Sequence, residues 1–173
     1  MQIIRSANLT LEPQLATHAE VMFDVLSDPA VYTYENEPPA SVEWLRARFA
    51  RLESRRSADG EEQWLNWVIR CHPSQMIGFV QATVRANDSA TIAYVIASSH
   101  WGRGLASEAV KAMIAELAAN YQVRYLSAVL KRDNQRSMRL LERLGFALAS
   151  PEERIRADIE AGEQLMQMVI AQP

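Results

Sequence analysis

A single cysteine, Cys71, in 173 residues excludes an internal disulfide and a cysteine-built zinc cage. The three histidines, His18, His72 and His100, stand far apart with no ligand spacing, so no metal is expected. No apolar stretch approaches the roughly 20 residues that span a bilayer, so no membrane partner is expected. The opening residues Met-Gln-Ile-Ile-Arg-Ser-Ala-Asn lack the apolar core of a signal peptide, and the expected setting is cytoplasmic. Clustered basic charge is missing too. The formal net charge is −3, whereas surfaces that track a phosphate backbone need grouped Lys and Arg, so nucleic acid is not an expected partner. Glycine is scarce at six residues, and two of the six fall one residue apart, at Gly102 and Gly104. What is present is the balance of an ordinary globular protein, 49% apolar and 23% charged. The length favours one domain, residues 1–173, with room for a substantial core.

Periodicity divides the chain into a mixed α/β order without repeats. Asn8 to Glu12 alternates as a short strand, and Pro13 breaks it. From Gln14, the positions Leu15, Ala19, Met22, Val25 and Leu26 share one helical face up to Asp28-Pro29. Tyr32 to Pro39 reads as a loop. Ser41 is placed as the N-cap of a helix that buries Val42, Leu45, Phe49 and Leu52. The period then changes. Trp64 to Cys71, Met76 to Arg85 and Ala90 to Ala97 are strands separated by short turn signals, which implies an antiparallel meander. A helix follows the glycine segment and ends near Asn120. Tyr125 to Leu130 is a strand, and Asn134 to Leu144 a helix stopped by Gly145. Arg154 to Ile159 and Gln164 to Ala171 read as a closing hairpin around Ala161-Gly162.

The segment His100 to Glu108 lies between a strand and a helix. Two glycines there either turn the chain or leave backbone amides bare for an anion, which a helix N-terminus stabilises without a cationic side chain. A triphosphate loop would need Lys and then Ser or Thr after Gly104, but Leu105-Ala106 follow. A dinucleotide loop would need a third glycine where Ser107 stands, and an acid at the end of the next strand.

The order of strand, Trp101-Gly102-Arg103-Gly104-Leu105-Ala106, helix, strand, Asn134-Gln135-Arg136-Ser137 and Leu144-Gly145-Phe146 resembles the GCN5-related N-acetyltransferases. The branch it resembles contains the ribosomal-protein N-terminal acetyltransferases and relatives that acetylate small molecules. The resemblance implies one α/β domain with a central, mostly antiparallel sheet flanked by about four helices. It implies acetyl-CoA as co-substrate, no metal, and an acceptor that is either a small-molecule amine or a protein N-terminus. A monomer and a homodimer are both compatible with it.

By the same resemblance, the amides of Trp101, Gly102, Arg103, Gly104, Leu105, Ala106 and Ser107 cradle the coenzyme pyrophosphate. The pantetheine arm runs beside Tyr94 to Ala97, and an N–H near Val95 or Ile96 holds the oxyanion. Asn134 caps its helix and also meets the coenzyme arm. Ser137 becomes the proton donor to the departing thiolate, with helix packing as its alternative role. Relatives carry a glutamate on the strand before the loop, where this chain has Thr91, and threonine is no general base. Deprotonation then falls to a water chain, to another carboxylate or to an amine that arrives partly neutral; Glu35 and Glu37, in the loop that borders the acceptor site in relatives, are the preferred carboxylates, with ordinary solvated loop positions as their alternative. The alternative is a catalytically weak acyl-CoA-binding regulatory protein. Trp44, Trp64 and Trp67 are expected in the core or at an interface.

Overall fold

The structure is a computed structural model and describes residues 1–34, 37–71 and 74–170. Alternating, β-branched-rich runs form a meander of β3 (Glu62–Cys71), β4 (Gln75–Arg85) and β5 (Ser89–Ile96), with antiparallel pairing throughout. Before them β1 (Ile4–Arg5) and β2 (Leu9–Pro13) extend the sheet from the β3 edge. After them β6 (Tyr125–Lys131) joins β5 as the sole parallel pair among the described residues. The order is β1-β2-β3-β4-β5-β6-β8-β7, where β7 is Ala147–Leu148 and β8 is Glu163–Val169.

Helices cover both faces. On one face α1 (Ala19–Leu26) and α2 (Val42–Leu52) bury Met22, Leu26, Leu45 and Phe49 against Val68 and Met76. On the other, α3 (Leu105–Tyr121) and α4 (Gln135–Arg143) enclose the larger core around Trp67, Ile69, Ile92, Met113 and Leu126. Local signals set the helix ends. Ser41 accepts from the Trp44 amide at 3.1 Å, as an N-cap does. Gly145 has φ 99°, and the bonds from Gly145 N–H to Glu142 and from Phe146 N–H to Leu141 complete a Schellman stop. The first turn of α3 is tied to the N-terminal strands, because Glu108 accepts from Ser6 Oγ, the Asn8 amide and Asn8 Nδ2.

Three expectations change. The helix expected from Gln14 opens as a single 3-10 turn at Ala16–His18 before α1 begins. Ile4–Arg5 and Ala147–Leu148 add strands the pattern did not show. The closing hairpin is absent: its first arm belongs to a helix, α5 (Pro151–Arg156), and β8 instead pairs with β6 and β7. The reason is local. Ser150 accepts from the Glu153 amide, Glu153 accepts from the Ser150 amide, and Pro151 starts the helix, forming a capping box that outweighs the weak alternation.

Candidate active site

The site originates in incomplete strand pairing. β5 and β6 pair only where Ser89, Ala90 and Thr91 lie beside Tyr125, Leu126 and Ser127. Beyond Thr91 the strands part. The β4 side of β5 stays paired to its end, and the Ala97 amide still donates to the Ile77 carbonyl at 2.8 Å. Alternation therefore turns the amides of Tyr94 and Ile96 toward the gap and that of Val95 toward β4. Gly78 makes this tight edge possible, since a Cβ there would stand 1.9 Å from the Val95 carbonyl oxygen.

A cavity of about 610 Å³ fills the gap. Phe79, Gln81, Ala93 and Val95 bound it on the α1–α2 side, with Leu45, Arg48 and Phe49 of α2. Ile92, Ala128, Leu130 and Leu141 bound it on the α3–α4 side. The opening thus runs through the sheet and joins its two faces.

Four of the sequence-derived residues meet there: Val95, Asn134, Ser137 and Glu37 all line the cavity. Asn134 caps α4, its Oδ1 accepting from the Ser137 amide at 3.1 Å. Ser137 is half-buried one turn into the helix, and its carbonyl lies 3.5 Å from the Tyr94 hydroxyl. Burial pushes the Tyr94 phenol above its ordinary value. Glu37 is exposed at the rim, beside Tyr34 and Pro39. Glu35 lies outside the described residues.

The loop Trp101–Ser107 does not line the cavity but sits just past the end of β5. Its attachment runs through Trp101. The indole Nε1 donates to the Ile96 carbonyl at 2.8 Å, and the Arg136 guanidinium of α4 stacks 3.6 Å from the ring centroid. Gly102 and Gly104 have φ 74° and 77°, left-handed values suited to glycine, and are exposed with Arg103. Leu105 is buried in the core, while Ala106 and Ser107 are half-buried. Among the described residues, the amides of Gly102, Arg103, Gly104, Leu105, Ala106 and Ser107 find no acceptor; the first bond of this turn is Glu108 N–H to the Gly104 carbonyl at 3.0 Å. These free donors point out of the positive end of a 17-residue helix. Neighbouring His100 is buried, and burial, followed by the charge of Arg103, lowers its pKa.

Thr91 stands apart from the cavity lining. Its hydroxyl accepts from Arg85 at 3.0 Å and lies 3.1 Å from Ser127 Oγ, and Arg85 is paired with Glu62 at 3.0 Å. The tryptophans separate. Trp67 is wholly buried and Trp64 half-buried, but Trp44 is 49% exposed and lines the cavity, with Arg48 5.7 Å over its ring.

Several lining residues had not been singled out from sequence. Arg48 carried a signal, since positions 44, 45, 48, 49 and 52 form one stripe of α2. Gln14 and Gln81 carried none. Asp28, outside the lining, carried none either; its two carboxylate oxygens accept from the Ala30 and Ser98 amides, each at 3.0 Å. That residue fastens the segment leading to Tyr34 to the end of β5. Its pKa is lowered by hydrogen bonding from Ser98 first and then from Ala30.

Comparison with known proteins agrees with this architecture. The family model described as an acetyltransferase (GNAT) domain matches residues 8–147. The uncharacterized N-acetyltransferase p20 of Bacillus licheniformis is 26% identical over 148 residues, 84% of this chain and 83% of that protein. Among solved structures, RimL, a ribosomal L7/L12 alpha-N-protein acetyltransferase in complex with coenzyme A, superimposes with a TM-score of 0.80 at 21% identity, covering 98% of each chain. The microcin C7 self-immunity acetyltransferase MccE, in complex with acetyl-CoA and AMP, gives a TM-score of 0.75 at 17% identity, covering 95% of this chain and 94% of that one.

Proposed function

The chain belongs to the GNAT acetyltransferase family, and from that premise we propose that it moves an acetyl group from acetyl-CoA to a primary amine by direct attack in a ternary complex. The whole of residues 1–173 is read as one N-acetyltransferase domain, the sheet running from Ile4 to Val169. The observation that carries the reading is the parting of β5 from β6 beside a loop of free amides. An elongated donor with a phosphate end and an amide-bearing arm matches both: the phosphates meet Gly102–Ser107, and the arm adds to the open edge at Tyr94 and Ile96. The acceptor then arrives from the α1–α2 face, past Glu37 and Arg48.

Each residue has a definite task. The gap-facing amide at Ile96 donates to the oxygen that gains charge as the amine lone pair attacks the thioester carbon, a task that the Val95 amide, turned toward β4, does not share. Asn134 fixes the first turn of α4 and so the place of Ser137. When the carbon–sulfur bond breaks, the Ser137 hydroxyl protonates the thiolate and is reprotonated from water. The proton lost by the amine passes to Glu37, or to Glu35, directly or through water. The acceptor is a protein N-terminus or a small-molecule amine.

The engagement of Thr91 with Arg85 and Ser127 favours a second reading, a catalytically weak acyl-CoA-binding regulatory protein, because no carboxylate stands on that strand. Two measurements decide. Acetyl-CoA raises Tm if the loop binds it, and no shift with any acyl-CoA defeats both readings. Thiol release with a panel of amines and peptides then separates enzyme from binding protein.

A further inference from the structure

The oxyanion donor and the proton donor proposed above sit on elements that no backbone hydrogen bond joins among the described residues. The Ile96 amide ends β5 and Ser137 opens α4, while ladder pairing between β5 and β6 stops at Thr91 and Ser127. A transfer that uses both groups needs them at a fixed separation, since a misplacement of about 1 Å costs roughly a hundredfold in rate. The Tyr94 hydroxyl reaches the Ser137 carbonyl at 3.5 Å, which is the long limit of a hydrogen bond and a weak tie.

The closer connection runs through one side chain. Trp101 Nε1 donates to the Ile96 carbonyl at 2.8 Å, and the ring face carries the Arg136 guanidinium at 3.6 Å. In a strand the amide and carbonyl of one residue point the same way, so the indole holds Ile96 on the side that addresses the gap. It supplies the donor that a continuing β6 would have supplied. The following N–H, that of Ala97, donates to the Ile77 carbonyl at 2.8 Å, so this peptide group is fixed at both ends. At the ring face, Arg136 forms no ion pair among the described residues, which leaves the indole as the anchor of its guanidinium. Arg136 directly precedes Ser137, whose amide donates to Asn134 Oδ1 at 3.1 Å. The stack therefore acts on the turn that carries the hydroxyl.

We propose that Trp101 is a positioning residue for the transfer. Its indole N–H fixes the Ile96 peptide, its face fixes the first turn of α4 through Arg136, and together they set the separation of the oxyanion donor from Ser137. The inference rests on the acetyltransferase reading above and gives the Trp101 side chain a task distinct from phosphate binding by the loop amides.

The test uses the full chain, acetyl-CoA and the amine that releases most thiol in the panel above. Arg136→Gln lowers kcat about tenfold, while the amine KM and the affinity for acetyl-CoA stay within about twofold. Arg136→Lys keeps a cation over the ring and restores most of kcat. Trp101→Phe keeps a ring for Arg136 but loses the indole N–H, and its kcat also falls. Trp101→Leu loses both contacts and falls furthest, by about a hundredfold; if it does not fold, Trp101→Phe and Arg136→Gln decide. In a Ser137→Ala background Arg136→Gln costs nothing more, because its effect passes through that hydroxyl, whereas Trp101→Phe still lowers kcat. Unchanged kcat in Arg136→Gln with weakened acetyl-CoA binding marks a guanidinium that holds phosphate and overturns the inference. Unchanged kcat in Trp101→Phe, or additive costs of Arg136→Gln and Ser137→Ala, overturns it too. No thiol release by the wild type with any amine of the panel overturns the underlying reading instead.

Discussion

The two sides of the cleft are made of different material. On the α3–α4 side, most groups available to a ligand belong to the backbone, the amides of Gly102 to Ser107 and the open edge of β5, and the side chains of Asn134 and Ser137 join them from the start of α4. On the α1–α2 side they are side chains, Glu37, Arg48 and Trp44, delivered from separate segments. A main-chain site depends on conformation, so it needs glycines and a strand without a neighbour. A side-chain site depends on identity, so it is free to vary while the fold stays the same. The contrast matches one donor shared across a family and acceptors that differ within it.

The contrast is broken most severely at Gly78. Alanine there sets a Cβ against the Val95 carbonyl and pushes β4 from β5, and the expected loss is about 3 kcal/mol or more, read by denaturant unfolding. At Gly104, by comparison, a Cβ meets nothing within 4 Å, so alanine carries only the left-handed backbone penalty of roughly 1 kcal/mol. Its larger effect is on the donor: the KM for acetyl-CoA rises about tenfold, while that for the amine barely moves. Equal rises in both would erase the division between the sides.

Ser137→Ala sharpens the comparison, because Ser137 is a side chain on the backbone-built side. Turnover falls severalfold, toward the roughly hundredfold of a positioned proton donor, while coenzyme binding persists. Unchanged turnover removes the role. The smallest effect is expected at Asp28, which ties the acceptor-side segment to the end of β5. Its pKa is depressed in the folded state, so its contribution is complete above the ordinary aspartate value of 3.8 and is lost as pH falls through the lower folded value. Wild type therefore melts above Asp28→Asn at neutral pH, and the two curves converge in acid.

The sequence made the backbone-built side readable because its signals are local. Gly102 and Gly104 between strand and helix, Asn134 three residues before Ser137, and Gly145 after α4 each lie within a turn of the feature they produce. The same holds for the β3–β5 meander and the Ser41 cap. Gln14 was not visible, since nothing about one glutamine after Pro13 reveals that the Asn66 carbonyl, far along the chain, will hold its amide against the sheet. The helix in place of the closing hairpin has a different origin. The capping box of Ser150 and Glu153 is itself a local signal, and it outweighs the weak alternation of Arg154 to Ile159. The partnership of β8 with β6 is non-local and had no signature in either strand.

The stacking of Arg136 on Trp101 gives the molecule an intrinsic optical probe. Indole emission follows the electric field across the ring, and this ring, at the first residue of the loop of unpaired amides, holds a cation 3.6 Å from its centroid. An anion bound at those amides would alter that field. Trp44, exposed at the other mouth of the cleft, is a second fluorophore in a wetter setting. Leaving either tryptophan as the sole emitter would let each substrate's arrival be followed by its own colour change, with no label attached.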